Sequence, residues 1–232
     1  MKKISCLICA YNEEPRIGKV LKVVTAHPDI KEILVVNDGS TDQTAAAVRR
    51  HKKVKLIDLK KNQGKTHALL TGLEAVKNDW VLLLDADLSP LTAKDITDLL
   101  EPVLSGRADC SLSLRKNSLL VHQLIGLDFS SGERVFSKKL LDGHQKEIKK
   151  LPRFGFEVFM NELLIKNRSR LAIVPWKNVS HARKTEKMGF WKGEWAELQM
   201  TWDMVKSVGL KKIVTQNLSL LKLARKKQAP SV

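Results

Sequence analysis

The chain has 232 residues, 41 Lys+Arg against 25 Asp+Glu, a formal net charge of +16, and 43% hydrophobic residues. That length and apolar fraction suit one ordinary domain, or one domain with an appendage, and exclude global disorder. Three cysteines (Cys6, Cys9 and Cys110) are too few and too scattered for a disulfide framework or a zinc cluster, and the two in an apolar run read as buried thiols.

In chain order, residues 4–10 read as a buried strand, and a helix over about 15–26 carries Pro15 near its start. A second strand covers 33–37, and Ser40 or Thr41 can cap a helix reaching Arg50. A third strand over 54–59 leads to a helix over about 65–77, and a fourth over 80–84 to a helix capped by Thr92 and ending near Leu104. Strands alternating with helices of this length mean parallel βαβ units, a doubly wound α/β sheet whose ligands bind at the carboxyl ends of the strands. Beyond Ser105 the pattern loosens. Residues 108–114 and 132–136 read as strands, 119–126 as a short apolar segment, 156–165 as a helix and 170–174 as a strand. A basic loop over 176–193 precedes helical stretches over about 194–205 and 210–225. No apolar run approaches the roughly 18 residues of a membrane-spanning helix, and no signal-peptide core follows Met1-Lys2-Lys3. The expected location is cytoplasmic, with peripheral attachment to the inner membrane face as a variant.

The charge is unevenly placed. Residues 1–105 carry 16 Lys+Arg and 14 Asp+Glu, whereas 106–232 carry 25 and 11. An anionic partner is implied, whether nucleic acid, membrane surface or phosphorylated substrate, and a solvated basic face is the bland alternative. Aromatics at 5% and the lack of any recognisable nucleic-acid-binding motif make nucleic acid the weakest of these.

Four segments carry chemistry. Ala10-Tyr11-Asn12-Glu13-Glu14 and Asn37-Asp38-Gly39-Ser40-Thr41-Asp42 follow the first two strands. The second is also ordinary turn-and-cap chemistry. Asn62-Gln63-Gly64-Lys65-Thr66-His67 opens a helix, where backbone N–H groups and a lysine favour anions, although a simple cap explains its glycine and threonine equally. Asp85-Ala86-Asp87-Leu88-Ser89 follows the fourth strand, and two carboxylates there can turn together toward a hard cation.

In this order the four segments resemble the inverting family 2 glycosyltransferases of GT-A fold, and most closely the dolichol- or polyprenyl-phosphate sugar transferase branch. The resemblance implies a GT-A domain over 1–205, with a nucleotide-sugar half (1–105) and an acceptor half (106–205), followed by a basic amphipathic helix and tail over 206–232. It implies that Ala10, Tyr11, Glu13 and Asp38 hold the nucleoside, with Lys65 and Ala86 also on the donor. Asp85 and Asp87 would hold Mg²⁺ or Mn²⁺ on the pyrophosphate, and Ser89, where the branch commonly has Gln, would contribute through water. Ser131-Gly132-Glu133-Arg134 resembles the acceptor segment of polyprenyl-phosphate sugar transferases, with Arg134 on the acceptor phosphate. Glu157 is a further expected catalytic residue, without a fixed role. His181, Arg183, Lys187 and Lys192 sit where the family has a basic loop. A lipid-phosphate acceptor needs no general base; for a hydroxyl acceptor, Asp128, Glu133 and Glu157 are the candidates. Residues 208–227 form a basic amphipathic stretch that either lies on an anionic membrane or packs on the domain. A soluble or glycan acceptor is the enzymatic alternative, and a basic nucleic-acid-binding protein is the outside one.

Overall fold

The computed structural model describes residues 2–115, 127–128, 131–151, 155–181 and 209–225. Its centre is a seven-stranded sheet of order β3-β2-β1-β4-β7-β6-β8. The strands are β1 (Ile4–Ala10), β2 (Ile30–Asn37), β3 (Lys55–Asp58), β4 (Trp80–Asp85), β6 (Cys110–Arg115), β7 (Arg134–Ser137) and β8 (Leu171–Trp176). A separate antiparallel pair joins β5 (Leu88–Ser89) to β9 (Ser180–His181). Pairing is parallel throughout except at β7, which runs antiparallel to both β4 and β6. This is the expected α/β architecture.

The apolar strands have both faces covered, as near-continuous hydrophobic runs require. In β1, Ile4, Cys6, Ile8 and Ala10 point into one core and Leu7 into the other; in β4, Leu82 and Leu84 oppose Val81 and Leu83. The first core is closed by α1 (Glu14–Ala26), α2 (Thr44–Arg49) and α4 (Ala93–Leu104). The second is closed by α3 (Lys65–Ala75), α5 (Gln145–Ile148), α6 (Gly155–Lys166) and α7 (Leu210–Arg225). All three cysteines are free; Cys6 and Cys110 are fully buried, whereas Cys9 is partly covered, its thiol pushed up to about 12 by loss of water around it.

Helix starts follow local chemistry with one exception. Pro15 sits in the first turn of α1, and Thr92 forms a reciprocal capping box with Asp95 at the head of α4. Helix α2, expected to be capped by Ser40 or Thr41, instead starts at Thr44. Asp42 Oδ1 accepts from Thr44 N–H at 2.9 Å, while Ser40 Oγ is taken by the Asn12 N–H at 2.9 Å. A hydroxyl that stitches two loops together cannot also cap. The segments 119–126 and 194–205 lie outside the described residues, as do Arg183, Lys187 and Lys192.

Helix α7 packs on the domain. Gln216, Asn217 and Leu220 are buried, whereas Val214 and Leu218 remain about half exposed. Gln216 accepts from Asn161 Nδ2 at 3.2 Å and donates to the Val158 carbonyl at 3.0 Å. Its inward stripe therefore combines a hydrogen-bonded Gln216 with Leu220, Leu221 and Leu223 packed on the second core. Among the described residues no helix is long and apolar enough to cross a membrane.

His27, at the end of α1, is almost fully buried. Its Nδ1 accepts from the Asp29 N–H at 3.3 Å, so Nε2 carries the proton toward Thr97 Oγ1, 3.0 Å away. Burial holds the ring below its ordinary pKa, although Asp29 pulls the other way. The neutral ring thus contributes stability in full above about pH 6.5, lost as pH falls through the lowered folded-state value. Thermal stability is expected to drop between about pH 7 and pH 5, and His27→Gln to flatten that slope. An unchanged slope in the variant would reject the assignment.

Candidate active site

The sheet's polarity gathers the chemistry on one edge. Strands β1, β2, β4 and β6 run parallel in the sheet, so Ala10, Asn37, Asp85 and Arg115 end at the same side. Because β7 runs the other way, its beginning arrives there, with Arg134 in register with Leu83 and Leu112. Only this antiparallel strand lets residues 131–134 meet the end of β4.

The first two loops are tied to each other. Asn12 adopts a left-handed conformation (φ 55°), where asparagine is several-fold enriched, and its Oδ1 accepts the Thr41 N–H at 2.9 Å. The Glu13 N–H donates to Thr44 Oγ1 at 2.8 Å, and the Glu13 carboxylate, itself mostly buried, pairs with Arg16 at 2.5 Å. Ala10 is buried and Tyr11 is 45% exposed. Gly39 has φ +65°, and a Cβ there would lie 2.3 Å from the Lys61 carbonyl carbon. Only glycine admits that contact between the loops after β2 and β3.

Asp38 answers the question of what binds at the head of α3. Its carboxylate accepts from the Gln63 N–H at 2.9 Å and the Gly64 N–H at 2.8 Å. The anion at this helix N-terminus is thus the protein's own buried aspartate. Two of the N–H groups expected to favour an anion at this helix are thus taken by an internal carboxylate.

Asp85 lies at the centre of the edge. Lys65, the first residue of α3, places Nζ 3.1 Å from Asp85 Oδ1 and 3.2 Å from Glu157 Oε1. Burial alone would lower the Lys65 ammonium; Asp85 and Glu157 outweigh it and hold the group charged, above its ordinary value. On the other side, Arg115 Nη1 is 3.8 Å from Asp85 Oδ2 and 2.8 Å from Glu133 Oε1, and its Nη2 is 3.3 Å from Asp128. Glu133 Oε2 accepts from Ser113 Oγ (2.8 Å) and Ser131 Oγ (2.9 Å). Gly132 makes this convergence possible: a Cβ there would stand 3.1 Å from both Asp85 oxygens and 3.2 Å from Lys65 Nζ.

Arg134, expected on an acceptor phosphate, is fully buried. It donates to the Ser131 carbonyl and, at 3.5 Å, to Asn161 Oδ1. It nevertheless lines the same small cavity as Lys65, Asp85, Gly132 and Glu157. The arginine directly beside Asp85 is Arg115, which sequence reasoning missed along with Ser113 and its bond to Glu133. The only available signal was the position of Arg115 at the end of a strand, and that strand's direction depends on pairing. Asp87 and Ala86 are buried, and Ser89 is exposed on β5. Strand β9 sets the His181 backbone opposite Leu88, next to Asp87.

Among the described residues no three His, Cys, Asp or Glu side chains form a ready cation cage. The donor set nevertheless fits a hard cation that keeps waters and phosphate oxygens, since Asp85 and Asp87 offer only carboxylate oxygen. Glu157, which shares Lys65 and the small cavity with Asp85, has its Oε2 buried without a hydrogen-bond partner.

Comparison with known proteins gives this geometry a context. Poly-beta-1,6-N-acetyl-D-glucosamine synthase of Staphylococcus epidermidis is 39% identical over 89 residues, 36% of this chain and 21% of that protein. Its Staphylococcus aureus (strain COL) counterpart is 37% identical over 91 residues, 38% of this chain and 22% of that protein. The chain thus spans about one fifth of the length of these curated relatives. Glucosyl-3-phosphoglycerate synthase of Mycobacterium tuberculosis, in complex with Mn²⁺, UDP and glucosyl-3-phosphoglycerate, superposes with a TM-score of 0.68 at 22% identity, covering 93% of this chain and 80% of that one. The same enzyme with Mg²⁺ and UDP gives a TM-score of 0.63 at 22% identity, over 81% of this chain and 76% of that one. At such identity the likeness establishes a shared fold. Residues 5–124, just over half of the 232, match the family described as glycosyl transferase family 2, and the chain belongs to that family.

Proposed function

We propose that this chain transfers a sugar, with inversion, from a nucleoside-diphosphate sugar to a polyprenyl phosphate or a similar lipid phosphate, using Mg²⁺ or Mn²⁺ held by Asp85 and Asp87. The observation that carries the reading is the Asp85 cluster at the carboxyl edge of the sheet, flanked by Lys65 and Arg115. Tyr11 supplies an exposed ring at the end of β1 for the base, beside Ala10, Glu13 and the Asp38 loop. When bound, the cation neutralises charge building on the leaving diphosphate. Lys65 and Arg115 add positive charge on the same side, Arg115 from a buried and fixed position, where such charge acts most strongly.

Support for an acceptor that arrives already ionised comes from the neighbouring carboxylates. Glu133 and Asp128 are committed to Arg115, and Glu157 Oε1 to Lys65. Glu133 and Asp128, tied to a buried arginine, are poorly placed as bases, and a phosphate needs none. The strong positive balance of residues 106–232 suits the same acceptor class. Under this reading α7 meets an anionic lipid surface through its outward side, where Val214 and Leu218 are exposed.

One observation favours a second reading, a hydroxyl acceptor on a glycan or a small phosphorylated compound. Glu157 lines the cavity shared with Asp85, and its Oε2, buried without a hydrogen-bond partner, could take the hydroxyl proton. The two readings separate by assay. Purified protein with Mn²⁺ or Mg²⁺ is incubated with UDP-glucose, UDP-N-acetylglucosamine or GDP-mannose, and with undecaprenyl phosphate, 3-phosphoglycerate or a chitooligosaccharide. Glycosylated lipid phosphate in the mass spectrum supports the first reading. Product only from a hydroxyl acceptor, lost in Glu157→Gln, replaces it with the second.

A further inference from the structure

The Asp85 carboxylate has a cation at each oxygen, and the two cations differ in freedom. The Arg115 side chain is only 8% exposed and is held by Glu133 and Asp128, so it stays where it is. The Lys65 side chain is 41% exposed, and its four-carbon stem starts at the very beginning of α3. Its ammonium bridges two carboxylates, Asp85 on one side and Glu157 on the other. It can therefore leave Asp85 without leaving the site. Gly132 belongs to the same arrangement, because any side chain there would press on the Asp85–Lys65 pair.

A divalent cation on Asp85 Oδ1 would meet the Lys65 ammonium at the same oxygen. Like charges at that separation repel strongly in a partly dehydrated site. The two compete for one carboxylate. We propose that Lys65 is an internal counter-cation that shields Asp85 from a divalent metal until a nucleoside diphosphate draws the ammonium onto its phosphates. Metal and donor then enter in a coupled way, each raising the affinity for the other by the same factor. Arg115, fixed and already balanced by two carboxylates, does not take part in the exchange. This inference rests on the reading of Asp85 as a metal-holding carboxylate.

The test titrates Mn²⁺ against the full chain, with free Mn²⁺ followed by electron paramagnetic resonance, in wild type, Lys65→Met, Lys65→Ala and Lys65→Arg. Without nucleotide, the two neutral variants are expected to bind Mn²⁺ at least about tenfold more tightly than wild type, because the competing charge is gone. Lys65→Arg, which keeps the charge, should stay within about threefold of wild type. With UDP bound, the advantage of the neutral variants should shrink to about twofold or less. Equal or weaker Mn²⁺ binding in both neutral variants without nucleotide overturns the proposal. So does a difference that persists undiminished once UDP is shown to be bound. Asp85→Asn serves as the control for the underlying reading. If it binds Mn²⁺ like wild type, the metal assignment fails, whatever Lys65 does.

Discussion

Asp85→Asn is expected to lower transfer by at least about 10²-fold, the scale on which loss of one transition-state-stabilising group is felt. The substitution keeps the side chain's size and leaves one oxygen, yet removes the charge that a cation on the diphosphate requires. It also leaves Lys65 and Arg115 facing a neutral amide where both had a carboxylate. Folding should be little affected, because Lys65 still has Glu157, and Arg115 still has Glu133 and Asp128. The separation of activity from stability is what makes the variant informative. Rates with the productive donor and acceptor, beside a thermal melt, provide the measurement. Asp87→Asn is expected to behave similarly, and full activity in both variants would sink the metal assignment.

Arg115→Met should have the opposite profile, with a large loss of stability accompanying the loss of activity. Glu133 is fully buried, and burial raises its carboxyl above the ordinary glutamate value while Arg115, Ser113 and Ser131 pull it back. Removing the guanidinium strands that carboxyl and Asp128 together. Breaking a buried pair in this way costs about 3–5 kcal/mol. For a chain of this size that corresponds to a fall in melting temperature of roughly 10 °C. The double variant Arg115→Met, Glu133→Leu should recover part of this stability, since it removes the stranded Glu133 charge while Asp128 stays buried without its arginine. It should not recover activity, because the positive charge beside Asp85 is still missing. Denaturant unfolding of the two variants distinguishes the outcomes: a single variant as stable as wild type would show that the network contributes little.

The legible parts of this protein were those encoded over short distances. The apolar run over residues 4–10 gave β1, and Thr92 as a cap gave the start of α4. The four chemical segments all lie near the sheet's carboxyl edge, because each follows a strand directly. Where one residue had two uses, sequence could not choose between them. Ser40 could cap a helix or receive Asn12, and the contacts Asp38 makes with Gln63 and Gly64 were not visible; in both cases the partner lies more than twenty residues away. Helix α7 packs on the domain, one of the two alternatives its sequence left open. Its leucines suggested an apolar face, whereas Gln216 and Asn217 turn inward because Asn161 and the Val158 carbonyl are there to satisfy Gln216.

By itself the sequence determined the alternating α/β plan, the carboxyl-edge location of Asp38, Lys65 and Asp85, and the uneven division of charge. Periodicity and capping are local, so a single chain states them without help. Only the tertiary structure decided that β7 enters antiparallel, and this one choice of direction brings Gly132, Glu133 and Arg134 to the edge where Asp85 ends. It also decided that Arg115, rather than Arg134, stands beside Asp85, and that Lys65 shares its charge between Asp85 and Glu157. The physical reason is common to all three. Strand order and direction are settled by burial summed over the whole sheet, and ion-pair partners follow from where that packing leaves each charge.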